Sequence, residues 1–187
     1  MAAGNVSRII RAPGRVVVNP TTSFATSAYP YGGTEVGKTN LCALQPLGVP
    51  FRVESEALGE ATDILEANNQ YVFVCFLRGY DDDAVELFLE AGHEAGTVTR
   101  HAVFHSPGSK TPGESALDRS ISLVYVPDDT IRTPGVLIYR GIPDWSDGAE
   151  LAFQRGSDLG IPITVDCLRD ANENILRIGR MEDLTLT

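Results

Sequence analysis

The chain has 187 residues, of which 43% are hydrophobic and 21% charged, and these proportions are typical of one folded domain. No apolar run approaches the ~20 residues that a membrane-spanning helix needs, so the sequence predicts no membrane partner. The formal net charge is −10. An acidic surface repels nucleic acid, which excludes a protein that grips DNA or RNA through its charge.

The charge is unevenly distributed along the chain. Residues 1–34 contain three arginines and no acidic residue. We interpret residues 1–15 as a basic N-terminal arm, and we predict that Arg8, Arg11 and Arg15 contact an acidic face of another copy of the chain. The apolar residues near the start are too few for the core of a signal peptide, which predicts synthesis and assembly in the cytoplasm.

Short runs rich in β-branched and aromatic residues alternate with turns of Gly, Pro, Asn and Asp along most of the sequence. Strands at such regular spacing are typical of an antiparallel sheet. The run at 71–78 is apolar on both faces and predicts a central strand that is covered on both sides. The predicted strands cover residues 15–19, 49–55, 71–78, 97–105, 120–126, 135–142, 149–155, 161–169 and 174–181.

One segment, 79–96, has the pattern of a helix, with Asp81 or Asp82 as its N-cap and an apolar stripe behind it. Strands and helix together predict a single domain over residues 1–187 that is mainly β, an antiparallel β-sandwich or partial barrel with one packed α-helix. Residues 106–119 are the longest polar stretch without a pattern and predict a long flexible loop.

The segment Gly32–Thr39 matches the phosphate-binding loop G-x-x-x-x-G-K-[ST] of nucleotide-binding enzymes. That loop requires a strand before it and a helix that starts near the lysine. The sequence predicts neither, because Pro30 precedes the glycines and Pro46 limits any helix from Lys38. The alternative is a glycine turn that leads into a strand beginning near Thr34. An acid that could hold a metal beside such a loop would be Asp128 or Asp166.

The other chemistry-bearing residues do not form a recognisable site. His93, His101 and His105 lack the spacing of a zinc site, and the acids of Asp81–Asp83 are consecutive rather than alternating as in a calcium loop. No nucleophile elbow occurs. The sequence therefore predicts no catalytic residue, no cofactor and no metal, and hence no enzyme. The cysteines lie far apart among apolar residues, which predicts buried free thiols: Cys42, Cys75 and Cys167.

Four stretches carry a resemblance to a known family: GRVVVNPT, YPYGGTEVG, YVFVCFLRGYDDDAVELF, and the long closing stretch from PGVLIYRGIPDW to ILRIGRMEDL. In this order they resemble the tail tube proteins of long-tailed, siphovirus-like bacteriophages. The resemblance implies a β-sandwich or partial barrel with a helix on its outer side, six copies joined in a ring by continuing the sheet, and rings stacked into a hollow tube. It also implies that no residue is catalytic.

The expected function is therefore that of a structural virion protein in the phage tail. Its expected partners are further copies of itself, terminator and tail-tip proteins, and DNA that passes through the lumen without specific binding. The acids Glu54, Glu56 and Glu150 are expected to face the lumen, because the opposite faces of their predicted strands are apolar. The alternatives are a tail terminator or adaptor ring protein and, from a different class, a nucleotide-binding enzyme that uses Gly32–Thr39.

Overall fold

A computed structural model gives the fold, and it describes residues 13–46, 50–54, 61–66, 70–80, 95–99, 102–106, 115–144 and 160–186. Within these residues the chain forms eleven strands and two short 3-10 turns. The strands are β1 Gly14–Val18, β2 Thr34–Pro46, β3 Pro50–Glu54, β4 Ala61–Glu66, β5 Tyr71–Tyr80, β6 Ala95–Thr99, β7 Ala102–Ser106, β8 Ile121–Pro127, β9 Gly135–Asp144, β10 Ile161–Leu168 and β11 Leu176–Gly179. The 3-10 turns are Ala116–Arg119 and Met181–Asp183.

Six of the strands close into an antiparallel barrel in the order β1-β2-β5-β10-β9-β8, with β8 pairing back to β1. The closing pair joins the last residues of β9 to β10, with Asp144 opposite Thr164. The first residues of β9 pair on that same edge with β11, where Gly135 lies opposite Gly179. Strand β11 is therefore an addition outside the closed ring. Two further hairpins, β3-β4 and β6-β7, form separate two-stranded sheets.

Alternating side chains of the barrel strands fill its interior, as the period of a strand requires. Val16, Phe73, Leu123 and Val165 are fully buried there. The outer faces of β1, β8 and β9 are covered by residues 20–33 and by the C-terminal segment, so that β8 is buried on both faces. The second cluster consists of Val17, Phe24, Tyr31, Val124, Val126, Leu137, Met181 and Leu184.

The structure confirms the mainly β, antiparallel prediction in its coarse form, whereas the sandwich and the packed helix are not confirmed. Of the predicted helix 79–96, Gly79 and Tyr80 belong to β5, Ala95 and Gly96 belong to β6, and the rest lies outside the described residues. Across the part of the chain that the structure covers, no helix is long and apolar enough to cross a membrane.

Seven predicted strands are confirmed to within two residues at either end. They are those at 15–19, 49–55, 71–78, 120–126, 135–142, 161–169 and 174–181.

Two predictions on the strands need correction. The single strand at 97–105 is wrong, because that segment is split between β6 and β7 of a hairpin. β5 is central but not covered on both sides, since the Phe76 side chain on its outer face is 40% exposed. The loop 106–119 ends in a 3-10 turn at Ala116–Arg119, where the Ser115 hydroxyl accepts a hydrogen bond from the Leu117 N–H at 3.3 Å. Residues 107–114 and the predicted strand 149–155 lie outside the described residues.

Candidate functional site

Gly32 and Gly33, which begin the phosphate-loop match, lie in a tight turn, whereas Gly37 lies within β2. The Tyr31 N–H donates to the Ala28 carbonyl at 2.9 Å, and the Gly33 N–H donates to the Pro30 carbonyl at 3.1 Å. Gly32 has a φ of 71°, a conformation that glycine adopts without a steric penalty. A phosphate would need amides of the matched segment that point toward it, and the amide of Gly33 closes this turn instead.

The lysine of the same match lies in a strand. Lys38 is an exposed residue of β2, which begins at Thr34 and continues to Pro46. A phosphate loop would have a helix at this point. The geometry is therefore not that of a phosphate loop, and the alternative prediction of a glycine turn that leads into a strand at Thr34 is confirmed.

Arg15, predicted to belong to an arm, lies in β1 and makes its contacts within the chain. Its guanidinium lies 3.3 Å from the Glu35 carboxylate of β2 and 5.3 Å from the centre of the Tyr29 ring. Burial raises the pKa of Tyr29, the Glu35 carboxylate raises it further, and Arg15 opposes the rise. These contacts fix the Tyr29 segment against the barrel. The intersubunit role of Arg15 stays a prediction, and Arg8 and Arg11 lie outside the described residues.

The other predicted site residues are not brought together in the described part of the chain. Glu54 is the last residue of β3, whereas Glu56 and Glu150 lie outside the described residues. The backbone of His105 belongs to β7, and the other two histidines lie outside the described residues. Among the residues that the structure does describe, no group of three or more His, Cys, Asp or Glu side chains could hold a metal ion. The lumen assignment of the three glutamates stays a prediction.

One surface combines a strand edge, exposed apolar side chains and arginines. Among the described residues, β11 pairs only with β9, so its other edge carries no strand. The Ile178 side chain on β11 is 53% exposed, and that of Ile131 in the β8–β9 loop is 86% exposed. Ile131, Arg132 and Arg180 help to line a pocket of about 180 Å³. We call β11 together with Ile131, Arg132 and Arg180 the β11 surface.

The β8–β9 loop holds Ile131 outward because its backbone is tied to one aspartate. The Asp129 carboxylate accepts hydrogen bonds from the N–H groups of Ile131 at 3.2 Å and Arg132 at 3.1 Å. The Thr133 N–H donates to the Asp129 carbonyl at 3.0 Å. Such aspartate-centred turns fix a loop without any apolar packing. Exposure of Ile131 therefore follows from an ordered loop.

The polar groups of the β11 surface are only weakly engaged. Arg132 lies 3.9 Å from Asp129 and Arg180 lies 3.4 Å from Glu182, and all four side chains are largely exposed. Exposed ion pairs of this kind contribute about 0–1 kcal/mol. The Thr133 hydroxyl, which lines the same pocket, is buried and makes no hydrogen bond with any described residue. The two arginines of the β11 surface are therefore held only weakly by acids of their own chain.

Sequence reasoning did not find the β11 surface. Its only local signal is an isoleucine inside a turn, in the stretch PDDTIRTPG, where an apolar side chain has no strand face to occupy. That signal is weak, because single exposed apolar residues are common. The unpaired edge itself depends on which strands close the barrel.

Comparison with protein-family models and with curated proteins finds no match for this chain. No relative therefore contributes to the assignment of a function.

Asp166, one of the two acids considered as a metal ligand, lies in β10 beside the barrel's closing seam. Burial raises its pKa above the usual 3.8, and the negative charge of Asp144 on β9 raises it further. When folding raises the pKa of a carboxyl group, the ionised form of that group is less favourable in the folded protein than in the unfolded protein. Its contribution therefore becomes unfavourable as the pH rises above 3.8.

We expect Asp166→Asn to increase the free energy of unfolding at neutral pH, because the amide removes a partly buried charge and its repulsion with Asp144. The gain should vanish below pH 3.8, where the carboxyl group is protonated in both states. Urea unfolding on either side of that pH measures the difference. Equal stability of the two proteins at neutral pH would show that Asp166 carries no penalty.

Proposed function

We propose that this chain is a structural protein of a long-tailed bacteriophage tail, and not an enzyme. Copies join through the β11 surface into rings, and the rings stack into the hollow tube through which DNA passes. The observation that carries the proposal is the edge of β11, which has no partner strand among the described residues. Ile178 on β11 is exposed, and so is Ile131, which lines a pocket together with Gly179 at the end of β11. The protein belongs to the virion tail and is assembled in the host cytoplasm.

Strand edges support this role because an unpaired edge is a template for another chain. A monomeric protein normally blunts such an edge, and a ring uses it as the joint between subunits. The exposed fractions of Ile131 and Ile178 supply apolar area for a heterologous contact. An acidic segment of the next copy can pair with Arg132 and Arg180, since the chain as a whole has a net charge of −10.

The acidic charge also suits the passage of DNA. A channel wall of one negative sign repels phosphates and prevents the counterion-driven binding that basic surfaces produce. The proposal assigns this role to Glu54, Glu56 and Glu150, and assigns further intersubunit contacts to Arg8, Arg11 and Arg15. It also includes one helix packed on the outer side of the sheet, in the segment that follows β5.

The nearest alternative is a terminator or adaptor ring of the same tail. It would use the same edge-to-edge joint within a ring, but its rings would not stack. The length of the assemblies separates the two roles, because tube subunits add on both ring faces.

Negative-stain microscopy of the purified chain, with sedimentation velocity in parallel, tests the proposal. We expect hollow tubes that grow with protein concentration, since each subunit added buries another edge. Single rings that never stack would favour the terminator or adaptor role.

ATP binding to the wild type and to Lys38→Ala should be measured on the same samples. We expect no saturable binding to either protein, because Lys38 lies in a strand and the turn amides are used. A monomer at every concentration up to the solubility limit, with ATP binding that Lys38→Ala abolishes, would overturn the proposal.

A further inference from the structure

Two cysteines lie directly opposite each other on neighbouring barrel strands. Cys42 of β2 is the register partner of Cys75 of β5, in an antiparallel pair. Opposed residues of such a pair have Cα atoms about 4.5–5.5 Å apart, and a disulfide spans Cα separations of about 4.4–6.8 Å. Both side chains pack in the same interior cluster. The register therefore places the two Cα atoms at a separation that a disulfide can span.

We propose that Cys42 and Cys75 are a modification site, where exposure to a small-molecule disulfide converts the two thiols into one intramolecular disulfide. Both thiols are free in the structure. The inference is independent of the assembly role proposed above, since it concerns the pairing of β2 with β5 and not the β11 surface. The sequence alone predicts inert, buried thiols, whereas the strand register identifies a pair that can be oxidised.

The two thiols differ in the way that such a reaction requires. Cys42 is partly exposed, whereas Cys75 is fully buried, so that an oxidant reaches Cys42 first. The Cys42 sulfur lies 3.5 Å from the Thr39 hydroxyl. The hydrogen bond with the Cys75 thiol, and then that with Thr39, lower the pKa of Cys42. The hydrogen bond with Cys42, together with burial, raises the pKa of Cys75. Since the thiolate is the reactive form, Cys42 is the attacking thiol and Cys75 the resolving one.

The reaction with glutathione disulfide balances in two exchange steps. The Cys42 thiolate attacks one glutathione sulfur, the glutathione S–S bond breaks, and one glutathione thiolate leaves. Cys75 then loses its proton and attacks the Cys42 sulfur of the mixed disulfide, which releases the second glutathione thiolate. The protein loses two electrons and two protons in total, and these appear in two molecules of reduced glutathione.

The third cysteine provides an internal control. Cys167 is also buried, but its register partner across β10 and β5 is Tyr71, so no thiol lies opposite it. The Cys42–Cys75 bond would close a loop of 34 residues counted from one cysteine to the other. Loops of that length lose enough unfolded-state entropy to raise the Tm by on the order of 10 °C.

The test incubates the full chain with glutathione disulfide and follows free thiols, mass and Tm. We expect the loss of two thiols per chain, a mass lower by two hydrogen atoms, a peptide map that links Cys42 to Cys75, and a Tm increase that dithiothreitol reverses. Cys167→Ser should behave like the wild type, and Cys42→Ser should remain unoxidised. Because Cys75 is buried, Cys75→Ala is the better partner variant, and it should stop at the mixed disulfide on Cys42.

Three results would overturn the proposal. One is a native protein that keeps all its thiols while the urea-unfolded chain reacts. The second is a disulfide that includes Cys167. The third is a wild-type protein that accumulates a stable glutathione adduct on Cys42 and never releases the second glutathione.

Discussion

Replacing Ile178 with aspartate is expected to abolish assembly and to leave the subunit folded. The side chain is 53% exposed, so the substitution removes little packing from the monomer and should change its stability by about 0.5 kcal/mol or less. In a joint between subunits the same position would be buried. An unpaired carboxylate there costs about 3 kcal/mol or more, which is roughly a hundred-fold in the association constant for each contact.

Leu117→Asp is the matched control for this experiment. Leu117 is 46% exposed, and it lies on the 3-10 turn before β8 and not on the β11 surface. It should form tubes like the wild type. Sedimentation velocity measures the association, and circular dichroism with thermal unfolding verifies the fold of both variants. Tubes from Ile178→Asp would show that the joint does not use the β11 edge. Monomers from both variants would show that the loss of assembly is not specific to the β11 surface.

The strands that sequence reasoning located are those whose local pattern and tertiary environment agree. β8 and β10 are rich in Val and Ile and lie between turn residues, and both are buried along most of their length. β1 is bounded by a Pro-Gly pair and by Pro20. In each case the turn chemistry marks the ends, and burial on the barrel's inner face fixes the middle.

β2 shows why the full length of a strand can be invisible in the sequence pattern. Its pairing with β5 shifts register on both sides of Thr39, and its pairing with β1 shifts between Val16 and Val17. Each bulge places two residues opposite one and interrupts the alternation of apolar and polar positions. The period-2 signal is therefore lost along Thr34–Pro46, although the strand is the longest among the described residues. The same segment contains the letters of a phosphate loop.

The β6–β7 hairpin has the sequence pattern of one strand, because the residues between its two strands are not usual turn residues. Between Thr99 of β6 and Ala102 of β7 the sequence reads Arg-His, with no Gly, Pro, Asn or Asp. Strand β4, with the sequence ATDILE, has too short an apolar run to be separated from a loop. The free edge of β11 could not be predicted, since it exists only because β9 divides one edge between β10 and β11.

Gly141 lies in β9 at the point where β9 meets β10 and the barrel closes. It is the register partner of Cys167 and lies opposite Ile121 of β8. A Cβ atom at this position would collide with the Cγ1 methyl of Val165 on β10. Both residues are buried, and Val165 is fully enclosed. The closing seam therefore accepts no side chain at residue 141.

We expect Gly141→Ala to decrease the free energy of unfolding by about 1–3 kcal/mol, because a methyl group forced into a filled core displaces its neighbours. In a chain of this size that corresponds to a Tm lower by roughly 2–4 °C for each kcal/mol. Gly179→Ala is the matched control. Its Cβ would lie 3.9 Å from the nearest atom, a Leu184 methyl, which is an ordinary contact. Without a clash, the loss of unfolded-state entropy makes that substitution neutral or stabilising by up to about 1 kcal/mol.

The two alanine substitutions both replace a strand glycine, yet they should change the free energy of unfolding in opposite directions. Urea unfolding measures both changes. Adding Val165→Ala to Gly141→Ala removes the methyl group that the new Cβ would meet. The double variant should then be more stable than the sum of the two single effects predicts, by about 1 kcal/mol, as expected for residues in contact. If Gly141→Ala were as stable as Gly179→Ala, or if the two substitutions at the seam were additive, β9 and β10 would not meet at the separation that closes this barrel.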